Sequence, residues 1–131
     1  MSQISPLSVD DCWSALAGAD LGRIGFDLGR GPRIHPVNFV LDGRSVLVLT
    51  AEDTELGLFE ELFSAGAMVA FEVDEVDRPS RTGWSVLLSG HLKRMGAQDA
   101  VPDLEPWADG ERTELLRLVP VEVTGRRLDA G

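Results

Sequence analysis

The sequence predicts a small, mainly β barrel with short helices. Three observations support this fold class: apolar and polar residues alternate along several segments, glycine-rich or Asp-Gly turn signals separate consecutive segments, and only short stretches have helical spacing. Strands joined as hairpins leave exposed sheet edges unless the sheet closes on itself. We therefore expect six antiparallel strands in a closed barrel, with two short helices.

The composition indicates one acidic globular domain spanning residues 1–131. The hydrophobic content is 44% and the net charge is −10, which suits a single domain with its own core. So acidic a chain lacks the basic stripe that nucleic-acid binding requires. No apolar stretch approaches the roughly 20 residues of a membrane span, and the N-terminus lacks a secretory signal, so we expect a cytoplasmic protein.

The first predicted element is an amphipathic helix with Ser8 as its N-cap and an end near Gly18. Its apolar face consists of Val9, Cys12, Trp13 and Leu16. The lone Cys12 has no partner for an internal disulfide, and its place on the apolar face predicts a buried structural thiol.

The next segment, residues 21–50, predicts three strands that form a meander. A glycine-rich loop, "LGRGP", joins the first two strands, and the Asp42-Gly43 pair marks the turn between the last two. The third strand, "SVLVLT" at residues 45–50, is apolar on both faces. This pattern is typical of a strand that is packed on each side.

The remaining segments predict one helix and three further strands. Leu58, Phe59, Leu62 and Phe63 have helical spacing in a segment that stops at Gly66, and the expected strands lie within residues 67–77, 83–95 and 115–123. Residues 99–114 are rich in proline and acidic residues, which indicates a loop with a turn of helix.

No standard catalytic or metal-binding motif is present. The chain has no CxxC, HExxH, Walker or GxSxG pattern, and His35 and His91 have no partners at ligand spacing, so no metal site is expected. Pro36 removes a backbone donor from its strand, and Asn38 on the same face has an amide that both donates and accepts, as the edge of a flat heterocycle requires. The alternative is a proline at the barrel end beside a solvent-facing amide.

Several weak motifs occur in a specific order between residues 12 and 95. A "GR" strand start at 22–23 is followed by "PVN" at 36–38, "FEVD" at 71–74 and "GWSV" at 83–86. In this order the chain closely resembles the pyridoxamine 5′-phosphate oxidase-like FMN-binding split barrels. Within them it is most similar to the small, single-domain branch that includes nitroimidazole-resistance-type proteins.

The resemblance implies a homodimer of six-stranded antiparallel split barrels, with FMN in two symmetric clefts at the dimer interface. In similar proteins the flavin ring lies along the "PVN" strand, the end of the third strand meets the ribityl phosphate, the following helix start adds a hydroxyl, and "GWSV" contributes near the cofactor. The residues that match these positions are Pro36, Val37, Asn38, Thr50, Ala51, Thr54, Trp84 and Ser85.

One position departs from the family pattern. The helix after the third strand commonly begins with Thr-Lys or Ser-Lys, and the lysine pairs with the FMN phosphate, whereas this chain has Glu55 there. Two charges about 4 Å apart interact by roughly 4 kcal/mol at an effective dielectric near 20, so this exchange would weaken phosphate binding. Arg23, Arg33 and Arg81 are candidates to compensate.

The expected function is that of an FMN-dependent oxidoreductase, in which hydride passes through flavin N5 to or from a small-molecule substrate. No catalytic side chain is assigned. The alternative is a flavin-free split barrel that acts as a binding or interaction module, for which Glu55 is the main support. A deazaflavin cofactor, or heme with His35 or His91 as axial ligand, is less favoured.

Overall fold

The computed structural model describes residues 3–51, 54–57, 59, 68–95 and 113–129. The elements in these ranges are, in chain order, β1 (Gln3–Pro6), α1 (Val9–Ala17), β2 (Leu21–Asp27), β3 (Pro32–Asp42), β4 (Ser45–Ala51), β5 (Met68–Asp77), β6 (Thr82–Arg94) and β7 (Thr113–Asp129).

The strands form one antiparallel sheet that closes into a barrel. Its order is β1-β7-β4-β3-β2-β5-β6, and a further pairing between β6 and β7 closes the ring. The barrel therefore contains six strands, β2 to β7, as predicted. β1 is an additional strand that pairs with the C-terminal end of β7, from Arg126 to Asp129.

Alternation along the strands places one face of each strand in the core. Ile24, Phe39, Phe71 and Leu88, from four different strands, are buried and belong to one hydrophobic cluster. The ring of Phe39 lies edge-on to that of Phe71, with centroids 5.1 Å apart. This aromatic pair stabilises the barrel interior because edge-to-face packing suits the ring quadrupoles.

The turn chemistry of the first meander follows the sequence prediction. Asp42 and Ser45 are direct partners, so Gly43 and Arg44 form a two-residue hairpin loop. Gly43 has a φ of 58°, a value that glycine adopts without steric cost at the first position of a type II′ turn. In the "LGRGP" loop, the Asp27 carboxylate accepts hydrogen bonds from the backbone of Gly29 and Gly31.

The first helix is confirmed, with one correction. The Ser8 hydroxyl accepts a hydrogen bond from the Asp11 amide at 3.1 Å, and Gly18 is the C-cap. Cys12, Trp13 and Leu16 are buried, and burial raises the pKa of the Cys12 thiol. Val9 does not belong to the buried face, because it begins the helix and is 49% exposed.

Both faces of β4 are packed, as the apolar run predicts. Val46, Leu47 and Val48 are fully buried. Leu47 of the outer face is thus covered within one chain, whereas Leu49 on the same face is half-buried.

Two differences concern the ends of the chain. β1 was not predicted, and β7 begins two residues before and ends six residues after the predicted 115–123. The predicted second helix falls mostly outside the described residues, including Leu58, Leu62, Phe63 and Gly66; of this segment, residues 55–57 and 59 are described and are helical. The loop predicted at 99–114 is outside the described residues up to position 112.

No helix in the described ranges is long and apolar enough to cross a membrane.

Candidate cofactor site

The barrel opens between β3 and β4. β3 pairs with β2 from Pro32 to Asn38, but its pairing with β4 begins only at Asn38. In the part of the chain that the structure describes, residues 32–37 thus have a strand on one side only. Pro36 lies in this stretch and has no N–H to offer a neighbouring strand. We call this opening the split; it comprises residues 33–38 of β3, the end of β4 at 50–51, and residues 54–55.

Threonine hydroxyls line the β4 side of the split. Oγ1 of Thr50 lies 2.8 Å from Oγ1 of Thr54, and Thr54 also accepts a hydrogen bond from the Gly57 amide at 3.3 Å. The second contact is that of an N-cap side chain on the helical residues that follow. These hydroxyls bring the end of β4 and the next helix start together, as the family resemblance implies. Ala51 ends β4, and its side chain is outside the described residues.

The Glu55 carboxylate crosses the split and contacts β3. Oε2 of Glu55 lies 3.4 Å from Nε of Arg33, and Oε1 lies 3.3 Å from Nε2 of His35. Arg33 is the arginine, of the three candidates, that reaches this loop. Its partner is the carboxylate at position 55, so the cation is already engaged with an anion of the same chain.

Aromatic packing fixes the position of His35. Its ring lies edge-on to that of Phe26, with centroids 5.1 Å apart, and Phe26 in turn packs against Phe59 at 5.3 Å. Phe26 and Phe59 are buried, so the His35 ring is held at the mouth of the barrel while its Nε2 faces Glu55. Sequence reasoning did not place His35 in the split, because a lone strand histidine has no distinguishing spacing.

The "PVN" residues occupy both faces of β3. Val37 is buried in the core, whereas Pro36 is exposed and Asn38 is half-buried on the outer face. Nδ2 of Asn38 donates to the Asp20 carbonyl at 3.4 Å, and the Phe39 amide donates to the same oxygen at 3.0 Å. The Asn38 amide is thus oriented next to the point where β3 separates from β4.

A first cleft of about 350 Å³ lies beside Pro36 on the outer face. It is lined by residues 18–23, Pro36 and residues 73–75. Its charged centre is Arg23, whose Nη1 lies 3.0 Å from both Glu72 and Asp74. Burial of Glu72, followed by the hydrogen bond and charge of Asp74, raises the pKa of Glu72 from 4.5 to about 7, although Arg23 opposes this shift.

Trp84 and Ser85 do not join the split within one chain. They line a second cleft of about 380 Å³, which includes Ile4, Val76 and the end of β7. Two strands lie between β3 and β6 in either direction around the closed barrel, so the two sets lie on opposite sides of it. Arg81, the third candidate arginine, is in the turn between β5 and β6 with a φ of 57°.

These residues fit the ring of a flavin mononucleotide better than its phosphate. The β3 edge, which has no partner strand among the described residues, and the Asn38 amide suit the polar rim of a flat ring, which presents donors and acceptors side by side. The two side chains of the split that could donate to a phosphate, Arg33 and His35, contact Glu55. A phosphate monoester therefore fits only if Glu55 moves away.

Known proteins are similar to this chain in sequence and in fold. Residues 8–127 match the family described as Pyridoxamine 5′-phosphate oxidase. An uncharacterized protein of Mycobacterium tuberculosis, Rv0080, is 33% identical over 135 residues, which cover 98% of this chain and 88% of the relative.

Solved structures agree with the barrel described above. The FAD-binding protein from Mycobacterium smegmatis is 32% identical, with a TM-score of 0.71 and coverage of 95% of this chain and 98% of the other. A candidate 5-nitroimidazole antibiotic resistance protein from Bacteroides thetaiotaomicron shares the fold at 12% identity, with a TM-score of 0.71 and coverage of 98% and 89%. The match of residues 8–127 to the family, together with the 33% identity to Rv0080, shows that this protein belongs to the pyridoxamine 5′-phosphate oxidase family.

Proposed function

We propose that this protein binds a flavin at the split and acts, as a homodimer, as a flavin-dependent oxidoreductase on a small-molecule substrate. The observation that carries this proposal is the one-sided pairing of β3 over residues 32–37, next to the Asn38 amide. A strand edge of this kind offers backbone donors and acceptors to a ligand instead of a neighbouring strand.

FMN is the proposed cofactor, and FAD is its direct competitor. FMN is proposed because the "PVN" segment and residues 50–54 resemble the FMN-binding segments of the family. FAD is included because a relative that is 32% identical is an FAD-binding protein. The two ligands differ at the phosphate, where FMN ends in a monoester and FAD continues as a pyrophosphate, so the charge at Glu55 bears on the choice between them.

The chain's own residues would bind and orient the cofactor. The Asn38 amide and the β3 edge would bind the ring, and the hydroxyls of Thr50 and Thr54 would donate to the phosphate end. When bound, a flavin supplies hydride transfer at N5. The protein then needs only to position the substrate and exclude water, and no side chain of this chain is assigned a catalytic role.

The homodimer is supported by the outer face of the sheet. Exposed apolar side chains project from β2, β3, β5 and β6, and their exposed fractions lie between 47% and 70%: Leu21, Ile34, Met68, Val76 and Leu87. Register places the small residues Gly25 and Ala70 opposite each other between them. The ion pairs of Arg23 with Glu72 and Asp74 lie on the same outer face. Exposed apolar side chains around a polar cluster are typical of a protein–protein interface, and a second copy with the same face can cover them symmetrically.

A flavin-free binding module is the second candidate function. The contact of Glu55 with Arg33 and His35 favours it, because the carboxylate engages the side chains on which a flavin phosphate would depend. In this case the split binds a neutral ligand or none.

A visible absorption spectrum distinguishes the two functions. We expect purified protein incubated separately with FMN, FAD and riboflavin, then passed through a desalting column, to retain flavin with a visible absorption band shifted from that of the free cofactor. Bound flavin should also be reduced by a nicotinamide or dithionite donor and reoxidised. Protein that stays colourless with all three ligands contradicts the proposal and favours the flavin-free module.

A further inference from the structure

Arg33 and His35 contact the carboxylate of Glu55 from the same strand. They project from the same face of β3, two positions apart, and each contacts a different oxygen of the Glu55 carboxylate, at 3.4 Å and 3.3 Å. In this arrangement each of two donors binds a different oxygen of one anion. Arginine and protonated histidine recognise phosphate in this way as well as carboxylate.

The backbone that carries Glu55 is anchored, but its side chain is not. Leu56 is fully buried and Phe59 nearly so, and Thr54 accepts a hydrogen bond from Gly57. In contrast, the side chains of Glu55 and Arg33 are 44% and 47% exposed. An exposed ion pair contributes little to stability, so the carboxylate can rotate into solvent without unpacking the helical residues.

We propose that Glu55 is an internal competitor for the anion site formed by Arg33 and His35. A phosphate-bearing ligand binds there only by displacing the Glu55 carboxylate. The inference rests on the proposed flavin function only for the identity of the natural ligand, since the competition itself concerns any small phosphate. It also explains how one chain combines a phosphate-binding arginine with a glutamate at the position where the family has lysine.

Glu55→Gln tests the proposal, because it keeps the size of the side chain and removes its charge. The probe is inorganic phosphate, titrated into the full-length protein while the imidazole resonances are followed by NMR. The chain has two histidines. His91 lies on β6, where it pairs with Met68 and Val119, and β2 and β5 separate β6 from β3. His91 thus serves as an internal reference.

We expect phosphate to shift the His35 resonances of Glu55→Gln with a dissociation constant about fivefold or more below that of the unmodified protein. His91 should not respond. Adding Arg33→Gln to Glu55→Gln should abolish the gain, because one of the two donors is then missing.

Glu75→Gln is the matched control for net charge. It removes one exposed carboxylate from β5 and should leave the phosphate response of His35 unchanged. Equal phosphate affinity with and without Glu55, or an equal gain in Glu75→Gln, overturns the proposal.

Flavin titrations of the same variants separate this inference from the proposed function. If phosphate competition is observed but FMN, FAD and riboflavin fail to bind any variant, the flavin function is wrong and the anion site stands. If flavins bind, and Glu55→Gln changes neither phosphate affinity nor the ratio of FMN to riboflavin affinity, the competition is wrong and the flavin function stands.

Discussion

Nη1 of Arg23 lies 3.0 Å from Oε1 of Glu72, across the β2–β5 pairing in which the two residues are direct partners. The same nitrogen contacts Asp74 at 3.0 Å. One cation thus faces two carboxylates on the outer face of the sheet, and Glu72 is the one whose pKa is raised from 4.5 to about 7. This cluster makes the stability of the fold depend on pH.

We expect the contribution of Glu72 to stability to be complete below about pH 4.5 and to disappear as pH rises through about 7. Between these values the folded protein holds a proton on Glu72 that the unfolded chain has released, so unfolding is favoured as pH increases. Urea denaturation of the protein and of Glu72→Gln at pH 5, 6, 7 and 8 measures the effect. The slope of the unfolding free energy against pH should differ between the two proteins by well below roughly 1.4 kcal/mol per pH unit, which is the limit for one proton. The difference is small because these charges are partly solvated.

Glu75→Gln, on the same strand, is the control for this prediction and should keep the pH dependence of the unmodified protein. If the unfolding free energies of the unmodified protein and of Glu72→Gln change in parallel between pH 5 and 8, Glu72 is ionised throughout this pH range.

The sequence was sufficient to predict the barrel, because six strands carry a clear alternation or an apolar run between glycine-rich turns. It was not sufficient for β1, because "QISP" is short, contains proline and has no apolar face. The C-terminal extension of β7 also escaped prediction. Its residues 124–129 include two adjacent arginines, and they are held as strand by pairing with β1 and β6 rather than by burial.

The candidate site was predictable by family resemblance but not in its geometry. Arg33 and His35 are 22 and 20 positions from Glu55, and only the closed fold brings them together. The sequence offered three arginines with no basis for choosing among them. The position of Trp84 and Ser85 was not predictable either. The family resemblance places them near the cofactor, whereas within one chain they line a separate cleft.

Asn38→Leu should weaken flavin binding or shift the spectrum of the bound flavin, with little effect on stability. The substitution removes the amide at the split, whereas the Asp20 carbonyl that it contacts keeps the Phe39 amide as a donor. We therefore expect a loss of stability below about 1 kcal/mol. Flavin titration with absorbance detection, together with thermal unfolding, measures both effects. Asn38→Gln retains an amide and serves as the comparison; identical FMN titration curves for all three proteins would remove Asn38 from the site.

Gly90→Ala should destabilise the barrel by about 1–3 kcal/mol, the usual cost of overpacking. Gly90 follows an irregularity in the β6–β7 register, and a Cβ there would lie 2.2 Å from the Val119 carbonyl oxygen and 2.8 Å from the Pro120 Cα. Both atoms belong to the backbone and cannot rotate away. Gly18→Ala is the control, since its Cβ would meet only an atom at 3.7 Å. Equal denaturation midpoints for the two variants would contradict the close packing at the β6–β7 register shift.

The protein should be a homodimer at micromolar concentration. Five of its exposed apolar residues lie on the outer faces of β2, β3, β5 and β6, and a monomer would leave them in water. Light scattering coupled to size-exclusion chromatography measures the mass, and Leu87→Glu should shift the equilibrium towards monomer. A mass near 14.2 kDa for the unmodified protein would exclude both the dimer and a cofactor site that requires two chains.

Glu55→Lys should increase the affinity for FMN by roughly five- to thirtyfold, a gain on the order of 1–2 kcal/mol. The substitution replaces the anion that contacts Arg33 and His35 by a second cation beside Arg33 at the mouth of the split. A phosphate monoester would then face two positive groups and the His35 ring at the start of a helical segment, where free N–H groups add to the attraction.

Without ligand, the introduced ammonium group would be repelled by Arg33, so the gain in FMN affinity should be accompanied by a slight loss of stability in the free protein. Riboflavin lacks the phosphate and should gain little. The FMN gain should shrink as salt is added, because exposed charges are screened over about 10 Å at 0.1 M ionic strength. If folded Glu55→Lys binds FMN no more tightly than the unmodified protein, the phosphate of FMN does not approach position 55, and the correspondence between this loop and the phosphate site of the family is wrong.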